Sequence, residues 1–173
     1  PAAGGRLIVR DDADNTALSP RRVAFFGDAA YAADPATYDA TVYINTPLTV
    51  DDAGNVFFGF VVTGSNPVGL VSGIARVAAD GSGRWVGAAL AAGDNAIAKV
   101  ATNCAPALSN DGRTLYMAVN ITRGTAPVQR GLLLALDSTT LATQAAVPLL
   151  EPGTGALARI SDDSTSSPTI GPD

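Results

Sequence analysis

The residues of this chain best able to do chemistry are its carboxylates, because histidine is wholly absent. Asp11-Asp-Ala-Asp-Asn15 spaces oxygen ligands in a way that suggests calcium, yet it lacks the downstream glycine and glutamate of an EF-hand loop. A solvated turn is the plainer reading. Asp51/Asp52 and Asp162/Asp163 are neighbours in sequence, and in extended chain neighbours point to opposite faces, so neither pair makes a shared acid–base site. Aspartate's local hydrogen bonding makes both pairs natural turn formers. The richest stretch is Gly27 to Asp39, which gathers Asp28, Tyr31, Asp34, Tyr38 and Asp39 around a proline. It reads as an irregular loop with room for one helical turn. Loops held on rigid scaffolds are where binding residues concentrate, so these five residues form the candidate binding loop, facing a protein partner or stacking a glycan on Tyr31 or Tyr38. The other reading is a mere surface connection. No catalytic, cofactor-binding or metal-binding residue is assigned.

Without histidine the chain has no Ser-His-Asp or Cys-His arrangement and no imidazole ligand for zinc, copper or haem. No glycine-rich phosphate loop ending in Lys-Ser/Thr occurs, no GxGxxG follows a strand, and no GxSxG elbow is present. Cys104, the single cysteine, reads as a small buried hydrophobe; a disulfide would need a partner outside these residues. Asn120-Ile-Thr122 has the glycosylation pattern, but in a chain of bacterial composition it reads as a strand end.

The elements that must position these residues are short strands, and they recur. Pro47-Leu-Thr-Val-Asp-Asp-Ala-Gly-Asn-Val-Phe-Phe-Gly-Phe60 and Pro106-Ala-Leu-Ser-Asn-Asp-Gly-Arg-Thr-Leu-Tyr-Met-Ala-Val119 share a proline, an acidic residue five places on, a glycine and an apolar run. Pro168-Thr-Ile-Gly-Pro-Asp173 begins the same pattern. The prolines lie 59 and 62 residues apart, a period that signals repeated supersecondary units. In the first unit the expected strands are Pro47–Val50, Asn55–Val62, Ser72–Ala78 and Arg84–Leu90, with turns at Asp51–Gly54, Gly64–Gly69 and Asp80–Gly83. In the second they are Pro106–Ser109, Leu115–Ile121, Gly131–Asp137 and Ala142–Leu149, with turns at Asn110–Gly112, Arg123–Pro127 and Ser138–Thr140. Gly5–Arg10 and Arg22–Phe26 read as the outer hairpin of an earlier unit, Thr41–Ile44 as the lead into the first full one, and Ser161–Ser167 as a polar connector. Phe57–Val62 and Leu132–Leu136 are continuously apolar, the pattern of strands covered on both faces.

Four antiparallel strands per unit, in tandem, with sheets apolar on both sides, predict an all-β chain of β-propeller blades, an incomplete ring. The organisation is 1–46 for outer strands of a preceding blade plus the loop, 47–105 and 106–167 for two full blades, and 168–173 for the start of another. A β-sandwich is the rival. Since rings need about four to eight blades, the remainder is expected from sequence not included or from a second chain.

Composition narrows the classes. The 173 residues are 47% apolar, enough for a core. A net charge of −5, with Lys99 the one lysine among eleven basic residues, argues against nucleic acid and anionic membranes. Arginine in place of lysine suggests a GC-rich bacterial genome. No run approaches the roughly 20 apolar residues of a membrane span. The start at Pro1 and the repeat interrupted at Asp173 suggest a piece of a longer, processed protein, secreted or periplasmic.

The opening Pro106-Ala-Leu-Ser-Asn-Asp-Gly112 with Thr114-Leu-Tyr-Met-Ala118 resembles the PxLSxDGxxLY start of blades in quinoprotein-like (pyrroloquinoline quinone-type repeat) propellers. Ala135–Thr140 resembles the segment that closes their third strand, and Ala79–Trp85 resembles that segment followed by its tryptophan. The resemblance implies that Trp85 docks between blades; Leu141 stands where the family pattern has glycine, and Ala142–Gln144 has no tryptophan. It covers roughly residues 45–173 and speaks to architecture rather than activity. The expected function is a non-catalytic binding or scaffold module without cofactor. The alternative is part of a quinoprotein-like dehydrogenase, for which the resemblance implies a quinone on the propeller axis and calcium.

Overall fold

The computed structural model describes residues 1–10, 12, 14–121, 131–158, 160 and 167–172. The turn expected at Arg123–Pro127, Thr122 of the sequon, Asp11, the pair Asp162/Asp163, most of the Ser161–Ser167 connector and Asp173 lie outside them.

The chain is mostly β and antiparallel throughout. β1 (Arg6–Val9) and β2 (Arg21–Ala24) form a two-stranded hairpin. The first sheet follows: β3 (Val42–Ile44), β4 (Thr49–Val50), β5 (Val56–Val62), β6 (Gly73–Val77) and β7 (Gly83–Gly87), in the order β3-β5-β6-β7. β4 pairs with the start of β5 and β3 with its end, so the edge beside β5 is one strand broken at Asn45–Leu48. The second sheet repeats this with β8 (Lys99–Val100), β9 (Ala107–Leu108), β10 (Thr114–Asn120), β11 (Gly131–Asp137) and β12 (Thr143–Pro148). Its order is β8-β10-β11-β12, with β9 also on β10. The Asn55–Val62 and Leu115–Ile121 stretches therefore belong to separate, equivalent sheets, as the sixty-residue period predicts.

Each sheet presents alternate side chains to its neighbours. Val56, Phe58 and Phe60 of β5 and Ala75 and Val77 of β6 pack with Leu7, Val23 and Phe25 of the hairpin. Phe57 and Ile74 leave the opposite face and pack with Leu115, Met117, Val119, Leu134 and Leu136 of the second sheet. Hairpin, first sheet and second sheet thus follow one another face to face. Trp85, half-buried on the hairpin side, meets Phe60 edge-on at 6.2 Å between ring centroids.

Hydrogen bonds between successive layers keep the period. Arg21 donates to the Ala79 carbonyl, the Asn103 amide to that of Asn45, the Thr49 hydroxyl to that of Pro106, and the Ala105 amide to Ser167 Oγ. The turn glycines recur with the strands: Gly54 and Gly112 both adopt positive φ, 80° and 70°, where a side chain is strained.

Three expectations need correction. The Gly27–Asp39 stretch is helical, forming α1 (Asp28–Ala33) and α2 (Pro35–Thr41), because Asp34 caps the second helix and Pro35 opens it with φ already suited to a first turn. The strand expected at Arg84–Leu90 ends at Gly87; Ala88–Ala92 form α3, an alanine-rich turn closed by Gly93 in the left-handed region. Finally, only the first apolar run is covered on both faces. Leu134 and Leu136 are buried, whereas Leu133 and Ala135 are half-exposed on the face turned away from the first sheet.

Candidate functional site

The connections sort to the two ends of the strands. One end carries the tight turns of the two five-stranded sheets, at Asp51–Gly54, Ala78–Ser82, Ser109–Gly112 and Asp137–Leu141, beside the longer β1–β2 connection. The other carries α1 and α2, the ten-residue β5–β6 loop 63–72, and α3 with its exit to β8. Ladder bonds tie this second end together: the Thr63 amide donates to the Thr41 carbonyl, Ala88 to Ser72, and Ala98 to Asn120. Here the β5–β6 loop and the entry to β8 enclose an open cleft of about 830 Å³.

The cleft wall is preformed. Asn66 clasps its own loop, Oδ1 accepting from the Leu70 amide at 2.7 Å and Nδ2 donating to the Leu70 carbonyl at 3.0 Å. Ser72 Oγ accepts from the Val62 amide at 2.9 Å, which pins the loop's far end to β5. Its lining joins aliphatic Val61, Leu70, Val71 and Ala98 with the hydroxyls of Thr63 and Ser65. Among the described residues the one charged side chain in the lining is Lys99, 7% exposed, whose Nζ donates to Thr102 Oγ1 at 2.7 Å. An aliphatic floor with neutral hydrogen-bonding groups suits binding; among the described residues its lining contains no carboxylate to move a proton.

The five residues of the expected binding loop are brought to this same end but are absorbed into structure. Asp28 Oδ1 accepts from the Ala24 amide at 2.7 Å, fastening α1 to β2. Asp34 Oδ1 accepts from Thr37 N at 3.2 Å as the helix cap. Tyr31 donates to Asp39 Oδ1 at 3.1 Å, and the Arg6 guanidinium lies 3.9 Å from its ring centroid while reaching Asp39 at 3.7 Å. Burial, and then the hydrogen bond to the Asp39 carboxylate, hold the Tyr31 phenol above its ordinary value despite Arg6. Tyr38 is wholly buried against Phe26, ring centroids 4.5 Å apart, so it cannot stack a glycan or touch a partner. Two aromatic residues in a polar stretch look alike in sequence; helical spacing turns Tyr38 into the core.

Other candidates resolve in the same way. Asp12 accepts from the Asp14 amide and Asn15 from that of Ala17, the self-contained bonds of an exposed turn. A smaller cleft of about 410 Å³ lies between the repeated turns, lined by Asp51 and Asp52 from one and Asp111 from the other. Asp51 accepts from Asn55 Nδ2 and from the Asn55 and Ala53 amides; burial pushes its carboxyl up, but those bonds outweigh it and hold it below the ordinary value. Asp111 is likewise lowered, first by Ser109 Oγ and then by the Arg113 amide. Among the described residues no group of three or more His, Cys, Asp or Glu is disposed to hold a metal ion. Asn120 ends β10 at 1% exposure, donating to the Ile160 carbonyl at 3.4 Å, and is closed to glycosylation. Cys104 is 1% exposed beside Ala101 and Ala118, and burial pushes its thiol up. Among the described residues no helix is long and apolar enough to cross a membrane.

The cleft is not visible in sequence because Gly64–Gly69 reads only as turn residues; its signal is length, ten residues between paired strands where the turns of the two five-stranded sheets at the other end use five. No family model matches the chain, and no curated protein or solved structure matches it.

Proposed function

We propose that the chain is part of a β-propeller-type binding or scaffold module, secreted or periplasmic, that engages its partner through the end carrying the long connections. The single observation that carries this reading is the segregation of connections: repeated sheets with minimal turns at one end hold a preformed, largely uncharged cleft at the other. The partner is a peptide or glycan that sets an aliphatic or pyranose face against Val61 and Val71 and bonds the neutral hydroxyls.

The test is binding to immobilised peptide and glycan panels, comparing the wild type with Val71→Arg. Val71 is 55% exposed at the rim, so the substitution fills the cleft without entering the core. Ligands held by the wild type and lost by the variant, at unchanged melting temperature, support the assignment; silent panels or equal binding count against it. The dehydrogenase alternative draws on the blade-opening motif and is tested separately, by a quinone absorption band and calcium-dependent dye reduction in the purified protein.

A further inference from the structure

The face of the second sheet turned away from the first is built like a docked face. In the first sheet, Phe57, Ile74 and Val86 point toward the second sheet, and Phe57 and Ile74 are completely buried by it. The cross-strand pairs there are Gly59 with Ile74 and Ile74 with Val86. On the outward face of the second sheet the same ladder returns as Ala118 with Leu133 and Leu133 with Val147, with Tyr116 in the place of Phe57. The apolar pattern is kept, yet Val147 is 54% exposed and Leu133 and Tyr116 are only half-buried.

A second, independent observation says what covers this face. The Thr49 hydroxyl of the first sheet donates to the Pro106 carbonyl at 2.7 Å, 57 residues on, where the second repeat opens. The second sheet also bonds the third copy of the proline segment, from neighbouring positions: the Ala105 amide donates to Ser167 Oγ at 2.8 Å and Asn110 Nδ2 to the Gly171 carbonyl at 3.2 Å, 62 and 61 residues on. Ser167–Pro172 thus stands to the second sheet as the Pro106 segment stands to the first.

We infer that the outward face of the second sheet is an internal interface, and that its occupant is a further antiparallel sheet of the same repeat, entered through Ser167–Pro172. Its inward face carries aliphatic side chains at the positions that Leu115, Met117 and Leu134 hold in the second sheet, so that Tyr116, Leu133 and Val147 become core. The inference rests on the repeated-sheet part of the proposed function and not on the cleft.

The test is carbene footprinting of the protein purified from its natural source. Val147 and Val71 are the same residue type at matching exposure, 54% and 55%, and Val71 serves as the internal reference. A further sheet makes Val147 and Leu133 label several-fold less than Val71 and Leu90 at every protein concentration. Equal labelling of Val147 and Val71 overturns the inference. Protection of Val147 that disappears on dilution also overturns it, by assigning the face to a second copy. Each result leaves the panel-binding data on Val71→Arg untouched, so the two readings fail separately.

Discussion

The two five-stranded sheets share one topology, but the faces they turn to the following layer differ at one position, and the contrast shows what a neighbouring layer demands. In the first sheet the position packed against the next layer is Gly59. A Cβ there would lie 2.7 Å from Val100 Cβ and 2.8 Å from Thr46 Cγ2. The equivalent position of the second sheet is Ala118, which keeps its methyl beside Cys104 at 7% exposure. Close approach of two sheets selects glycine; a looser cover tolerates alanine.

The largest expected effect separates the two faces by burial alone. Phe57→Ala removes a fully buried ring on the Gly59 face of the first sheet, packed against the second, and it should cost about 3–5 kcal/mol in urea unfolding. Leu133→Ala, on the outward face of the second sheet, should cost less than about 1.5 kcal/mol in the 173-residue chain, the smaller figure reflecting half-burial. Equal losses would erase the contrast.

The outer turns offer a sharper comparison. β6 and β7 are joined through Gly81 at φ 90°, and β11 and β12 through Leu141 at φ 60°, a conformation that bulky residues rarely adopt. Leu141 is retained there with its side chain 2% exposed in the core between the sheets. Leu141→Ala loses the burial and keeps the strain, at about 2–4 kcal/mol. Leu141→Gly loses the same side chain but relieves the backbone, so it should melt higher than the alanine variant by about 1 kcal/mol of stability. Thermal melts of the pair decide the matter; an alanine variant at least as stable as the glycine one would show that Leu141 carries no strain.

How much of this was legible follows the kind of interaction involved. The long strands, their pairing into separate sheets and the repeat were readable, because Val56–Val62 and Thr114–Asn120 are dense in β-forming residues and each follows a turn holding aspartate and glycine; the two-residue β8, which joins the second sheet from within the stretch assigned to the first unit, was not. The helices were not. Asp34 caps α2 and Pro35 opens it, but six and seven residues are too few for a helical period to stand out, and Tyr38 reads as a loop residue because its burial depends on Phe26 and on α2 packing beneath the hairpin. The cleft was illegible for the same reason: Val61 and Ala98 are 37 positions apart and meet only when the sheets stack.

Gly59→Ala probes the stacking distance directly. The new methyl meets Val100 Cβ and Thr46 Cγ2, neither of them the far end of a long side chain, so the layers must part slightly; about 1–3 kcal/mol should be lost. The reverse exchange in the second sheet, Ala118→Gly, should cost only about 0.5–1 kcal/mol, from chain entropy. Matching urea midpoints for the two variants would mean that both sheets are packed equally closely.

The smallest effect concerns the repeated turns at the opposite end. In the first, Asp51 holds Asn55 through side chain and backbone, and Asn55 Oδ1 in turn accepts from Arg76 at 2.7 Å; in the second, Ser109, Asp111 and Arg113 make an exposed counterpart. Because the folded chain lowers the Asp51 carboxyl below its ordinary value, its contribution is fully present above the unfolded value and fades as pH falls through the folded one. The wild type should therefore exceed Asp51→Asn by no more than about 1 kcal/mol at pH 7, and the gap should close between about pH 5 and pH 2. Urea titrations at a series of pH values measure it. A gap that persists at the acid end would place the stabilisation in the shape of the turn rather than in the charge of Asp51, and would remove the difference between the half-buried clasp of the first repeat and the exposed one of the second.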